Sequence, residues 1–189
     1  MSDISEGQPP ANRDNLLRLI QKHDIRTVLE IGTFMGGSAA LFAKQSQIEQ
    51  VTCIDPFETS GWWAHELAIR AVPNPYYDVF RRNMEELGVW HKIEVLRGLS
   101  QDMAAQAPVV DLVYVDGDHS YEGCKRDIEL YRPKAKKVIC GDDYHRDEHG
   151  VPYYPGVIQA ATELLSGHHF EAGFWWFELS RKNALVELP

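Results

Sequence analysis

Apolar and polar positions along the chain change period repeatedly, and each change marks an element. From Asn12 to His23, Leu16, Leu17, Leu19 and Ile20 fall on one helical face, with Asn12 or Asp14 placed to cap the first turn. The spacing predicts an amphipathic helix over one edge of a sheet. Thr27-Val-Leu-Glu30-Ile then reads as a buried strand that breaks into Gly32-Thr-Phe-Met-Gly36-Gly37-Ser38, and an apolar helical run follows from Ala39 to Ala43. Val51-Thr-Cys-Ile54 is a second strand, stopped at Asp55. Val79, Phe80, Met84 and Leu87 share a face between Tyr76 and Gly88, which predicts a helix ending at the glycine. Ile93 to Leu96 is a third strand, and the runs Asp111-Leu-Val-Tyr-Val and Lys137-Val-Ile-Cys are the fourth and fifth. Between these last two, Tyr121 to Tyr131 carries Glu122, Lys125, Arg126, Asp127 and Glu129, the expected pattern of a solvated helix face. Pro155 opens one more helix. His168 to Ser180 and Asn183 to Leu188 are expected to form a terminal antiparallel pair, with Trp175 and Trp176 as packing residues.

Strands that alternate with helices from Thr27 to Ile139 imply parallel pairing with helices on both faces. The expected fold class is therefore α/β: a doubly wound, mostly parallel seven-stranded sheet with an antiparallel last strand. One segment breaks the rhythm. Residues 56–75 contain Trp62-Trp63 and Val72-Pro-Asn-Pro75, too irregular and aromatic for a plain connector, and are expected to form a lid or substrate-binding insertion.

Composition narrows this picture. With 189 residues the chain fits a single domain, 1–189, preceded within it by a polar tail over 1–11 expected to be disordered. A net charge of −9 without any Lys/Arg-rich run argues against nucleic acid or an anionic membrane surface as partner. No apolar run reaches spanning length, the first residues do not resemble a signal or transit peptide, and three cysteines suit reduced, buried thiols. The expectation is a cytoplasmic protein.

The chemistry concentrates where strands stop. The fourth strand ends in Asp116-Gly-Asp118-His119-Ser-Tyr121, and the fifth in Gly-Asp142-Asp143-Tyr144. Neighbouring strands lie about 5 Å apart, so Asp116, Asp142 and Asp143 would crowd one small volume. Carboxylates that close repel unless protons or a cation sit between them, and a divalent metal is the simplest resolution. Capping of the following turns is the plainer alternative for any one of them. The glycine-rich turn after the first strand aims free backbone N–H groups at a ligand. Its spacing is not G-x-G-x-x-G, because three other residues separate Gly32 from Gly36, and this counts against a dinucleotide. Asp55 stands where an acidic residue accepts from a ribose hydroxyl pair in such folds.

These residues together resemble the class I S-adenosylmethionine-dependent methyltransferases, over Thr27 to about Leu165. Within the class, Asp-Gly-Asp-His-Ser-Tyr and Gly-Asp-Asp-Tyr are similar to small magnesium-dependent O-methyltransferases of the catechol and macrolide-sugar types. The resemblance implies S-adenosylmethionine (SAM) as cofactor. Its methionine part would lie against Gly32, Thr33 and Gly36, with Glu30 and Ser38 in the cofactor set, its ribose on Asp55, its adenine beside Ser100, and Asp116 close to it. It also implies Asp116, Asp142 and Asp143 as ligands of a divalent metal, magnesium in the first instance, although Asp143 stands where the catechol type has asparagine. A catechol-type lysine that takes the hydroxyl proton is replaced here by His119, the expected general base, with His145 second in line. The implied acceptor is a small-molecule hydroxyl. The chain is expected to lack the long N-terminal cover by which relatives close the pocket, so shielding is expected from residues 56–75 or from a second subunit in a homodimer. A metal-dependent hydrolase, an oxygenase-like relative and a non-catalytic SAM-binding module remain as alternatives.

Overall fold

The computed structural model describes residues 10–60, 64–65, 68–69 and 71–179. The tail expected over 1–11 lies outside these residues up to position 9, as do Trp62, Trp63 and the strand expected over 183–188.

Among the described residues a seven-stranded sheet runs in the order β3-β2-β1-β4-β5-β7-β6. Its strands are β1 (Thr27–Ile31), β2 (Gln50–Asp55), β3 (Ile93–Arg97), β4 (Val110–Val115), β5 (Ala135–Gly141), β6 (His169–Glu171) and β7 (Phe174–Glu178). The first five pair in parallel, and β7 and β6 are antiparallel. Helices α1 (Pro10–Lys22), α2 (Gly37–Ala43) and α3 (Tyr77–Glu86) contribute Leu16, Phe42 and Phe80 to the core on one face. The short α4 (Ser100–Met103) leads into the other face, where α5 (Tyr121–Tyr131) and α6 (Pro155–Leu164) contribute Ile128 and Ile158. β4 is buried at every position, as a strand covered on both sides must be.

Register decides where the site lies. Ile31 is level with Ile54 and with Val115, and Val115 is level with Gly141. The chain therefore leaves β1, β2, β4 and β5 along one line, at Gly32, Asp55, Asp116 and Asp142. β1 sits between β2 and β4, so the order in which strands are added reverses there and a crevice opens outside the carboxyl ends. The two acidic strand ends expected to be neighbours are neighbours.

Two elements differ from expectation. The terminal pair lies wholly within the first of the two expected segments: β6 and β7 are joined by Ala172-Gly173, with φ of 51° and 91°. Such a two-residue turn needs left-handed backbone at both positions, and alanine does not advertise it. Helix α1 begins at Pro10, a favoured first-turn residue, so Asn12 lies inside the helix and caps nothing. Its side chain is free for another task.

Candidate active site

The crevice is a cavity of about 490 Å³. Gly32, Asp55, Ser100, Asp116 and His119 line it, together with Phe34, Tyr76, Arg126 and Asp127. Gly32 has φ 84°, and a Cβ there would strike the carbonyl oxygen of Asp116. Only glycine lets the loop after β1 lie this close to the end of β4. Its N–H donates to Ile54 O and Asp116 N–H donates to Ile31 O, both at 2.9 Å, so the loops extend the sheet pairing to the rim.

Asp55 closes one end of the cavity. Its Oδ2 accepts from Phe34 N–H at 2.8 Å, and its Oδ1 accepts from Phe57 N–H at 2.6 Å and the Tyr76 hydroxyl at 3.0 Å. Burial pushes its pKa up, and these donors offset part of that. Beside it, Tyr131 hydroxyl donates to Ser100 O at 2.6 Å, and Ser100 Oγ donates to Asp127 Oδ1 at 2.5 Å. Asp127 is only 1% exposed, and burial pushes its carboxyl up to about 6.

Glu30 lies beneath the floor, buried, and does not line the cavity. Desolvation pushes it up to about 8, with the hydroxyls of Ser38 and Thr33 offsetting part of the effect. Thr33 and Ser38 are likewise buried behind the loop. Gly36 turns toward Phe80 and Met84 of α3, and a Cβ there would meet both side chains at 2.6–3.0 Å. These four residues support the loop from within, whereas Gly32 presents it to the cavity.

The opposite end is acidic. His119 Nε2 lies 2.9 Å from Asp143 Oδ2 and 3.6 Å from Asp116 Oδ1. Asp142 Oδ1 accepts from Asp143 N–H at 2.8 Å and from Asn12 Nδ2, and His145 Nε2 stands 3.5 Å away. Asp143 itself adopts φ 63°, an uncommon conformation that aspartate tolerates better than most residues. Ligand atoms of Asp116, His119 and Asp143 lie within 4.8 Å of one another, and so do those of Asp142, Asp143 and His145. The three aspartates expected to meet thus form two overlapping groups that share Asp143.

Electrostatics sets this end apart. Burial raises Asp116, although His119 pulls it back, and burial followed by the charge of Asp116 pushes Asp142 up to about 7. Burial alone would lower His119, yet hydrogen bonds and charges of Asp116 and Asp143 outweigh it and push the imidazole up to about 10. Surrounded only by the protein's own groups, His119 is thus held above the near-neutral titration expected of it, and its protonated form is favoured. The carboxylate oxygens of Asp116, Asp142 and Asp143 are donors suited to magnesium or manganese, and their mutual repulsion favours a cation among them. The residues fit a divalent metal.

Five residues of this site were not expected. Asp127 and Arg126 belong to a helix expected to be solvated, but Cys124, Asp127, Ile128 and Tyr131 recur at helical spacing and are all buried. That stripe was a readable signal. Tyr76 carried none, because its partner Asp55 is 21 positions away. Asn12 carried a misleading one. Tyr154, 37% exposed, sets its ring edge-on to His119 at 4.7 Å and forms the outer wall of the acidic end.

A family model described as a methyltransferase domain matches residues 29–144. An uncharacterised protein of Acanthamoeba polyphaga mimivirus is 25% identical over 158 residues, covering 82% of this chain and 68% of that protein. Among solved structures, the O-methyltransferase from Bacillus cereus in complex with SAH superposes with a TM-score of 0.64 at 20% identity, over 92% of this chain and 82% of that one. TomG from Streptomyces achromogenes, an O-methyltransferase involved in tomaymycin synthesis and solved with SAM, gives 0.62 at 16% identity, over 92% and 82%. At such identities the solved structures share the fold. Among the described residues no helix is long and apolar enough to cross a membrane.

Proposed function

The chain belongs to this methyltransferase-domain family and is a SAM-dependent methyltransferase, and from that premise we propose that it methylates a hydroxyl of a small molecule with the help of a divalent metal. The observation that carries the proposal is the polarity of the crevice. Asp55, fixed by three neutral donors, stands at one end, and Asp116, His119 and Asp143 converge at the other. An adenosyl group has hydroxyls to offer the first end, and a sulfonium methyl donor is at home near the second.

Asp55 would orient the ribose, Ser100 would border the adenine, and Gly32 would admit the methionine part close to the sheet. Asp116, Asp142 and Asp143 would hold the metal, which supplies Lewis acidity to lower the pKa of an acceptor hydroxyl. Once the charges of Asp116 and Asp143 are engaged elsewhere, the influences that keep His119 protonated weaken. Nε2 could then accept the hydroxyl proton as a general base. Tyr154, against His119 and open to solvent, would border the acceptor and exclude water from that face.

The test is calorimetric titration of the protein with SAM and with its demethylated product, each with and without magnesium. The expected result is binding of both, weakened by Asp55→Ala and spared by Asp142→Ala, with the separate magnesium signal lost in the second variant. Absence of binding under every condition would end the proposal.

A further inference from the structure

Resting on the metal site proposed above, we propose that Asn12 of helix α1 is the positioning residue that fixes Asp142 for the metal. The two residues are 130 positions apart, yet Asn12 Nδ2 donates directly to Asp142 Oδ1. Asn12 is 0% exposed, and among the described residues its own Oδ1 has no hydrogen-bond partner. An apolar side chain would fill that place without stranding a buried acceptor. Asparagine there makes sense through what its amide does to Asp142.

The arrangement on Asp142 is one-sided. Asn12 Nδ2, Asp143 N–H and His145 Nε2 all gather at Oδ1. Among the described residues no hydrogen bond reaches Oδ2, so the carboxylate is turned by its supported oxygen and offers the other. Outer groups of this kind set ligand orientation, and losing one typically costs about 10- to 100-fold in metal affinity. Helix α1 is itself fastened at a distance from the acidic end. Asn15 Nδ2 donates to Glu171 O at 3.4 Å, Arg18 bonds Asn15 Oδ1 and Glu171 Oε2 at 2.7 and 2.9 Å, and Lys22 pairs with Glu178 at 2.7 Å. These contacts lay the helix along the β6–β7 hairpin. The same hairpin carries Gly173, whose missing side chain makes room for the His145 ring. The helix thereby brings the Asn12 amide to Asp142 from outside the parallel sheet, and the hairpin leaves room for the His145 ring beside it.

The experiment is manganese titration of the full chain, followed by electron paramagnetic resonance and calorimetry, with SAH affinity measured alongside. Asn12→Ala and Asn12→Leu are expected to weaken manganese binding about 10- to 100-fold and to leave SAH affinity within about twofold. Asn12→Ser, small and still a donor, is expected to recover part of the loss. Asn15→Ala loosens the same helix without touching Asp142 and is expected to keep manganese affinity. Full manganese affinity in Asn12→Leu or an equal loss in Asn15→Ala would each overturn the positioning role while leaving the metal site in place. Wild-type protein that binds SAH but no manganese would remove the metal site and this role together, and would leave methyl transfer standing.

Discussion

Asp55 and Asp142 make an instructive pair. Each stands at the carboxyl end of a parallel strand and each is nearly buried; Asp55 lines the crevice, and Asp142 stands behind its acidic end, next to Asp143. Their surroundings push them toward different work. Asp55 accepts from two backbone N–H groups and one phenol, which orient it without bringing a charge. Asp142 has Asp116 and Asp143 for neighbours, and burial with their charges pushes it up to about 7. A carboxylate steadied by neutral donors can receive hydroxyl groups, whereas one crowded by other carboxylates waits for a cation. The same residue type at the same place in the fold is thus given its role by what reaches it from elsewhere.

Metal removal should break the symmetry most strongly. With an acceptor in hand, excess EDTA is expected to lower methyl transfer about 1000-fold or more, the scale of a lost Lewis acid worth several kcal/mol, and to leave SAH affinity unchanged. Magnesium should restore turnover. Unchanged turnover in EDTA would reduce the acidic end to a purely protein-based site. Asp55→Asn sharpens the comparison from the other side. Hydrogen bonds to a charged group contribute about 1.5–3 kcal/mol, so SAM affinity should fall about 10- to 100-fold while manganese affinity holds. If both ligands weakened together, the two ends would be one coupled site.

The division into two ends was readable in the chain in proportion to how local its causes are. Strand ends announce themselves, because an apolar run stopped by aspartate needs no distant partner to be recognised; Asp55, Asp116, Asp142 and Asp143 were legible for that reason. So was the α/β alternation, which rests on the switch of period from one element to the next. The hydrolase and non-catalytic alternatives stayed open because acidic strand ends alone do not choose a chemistry; the family match over 29–144 chooses it. What could not be read are groups that act across the sheet. Tyr76 meets Asp55, and Asn12 meets Asp142, only after folding. His119 was legible as a site residue, but its charge was not, since Asp143 approaches it from another strand end.

The smallest expected effect concerns stability. Asp142 in the folded chain holds its proton up to about pH 7, well above the ordinary carboxylate range. A carboxyl whose folded pKa is raised contributes stability that is complete below its unfolded pKa near 4 and is lost as pH rises through about 7. Glu30, raised to about 8 by burial, has the same sign one step higher. His119 works the other way in range: its gain from Asp116 and Asp143 persists through neutrality and disappears only as pH approaches about 10. Without added metal, the melting temperature should therefore decline from pH 5 to pH 8. Asp142→Asn removes one source of that decline, at the cost of reshaping the contact with Asn12. It is expected to raise the melting temperature by about 5 °C at pH 8, the scale of roughly 2 kcal/mol in a chain of this size, and by little at pH 5. Asp55 is also raised by burial, so Asp55→Asn should gain in the same direction but by less, because it discards charge-assisted bonds from Phe34, Phe57 and Tyr76. Equal melting shifts for the two variants at pH 8 would mean that neighbouring charge does not distinguish the two carboxylates. A larger gain in Asp142→Asn than in Asp55→Asn would give the division of the crevice a thermodynamic signature independent of catalysis.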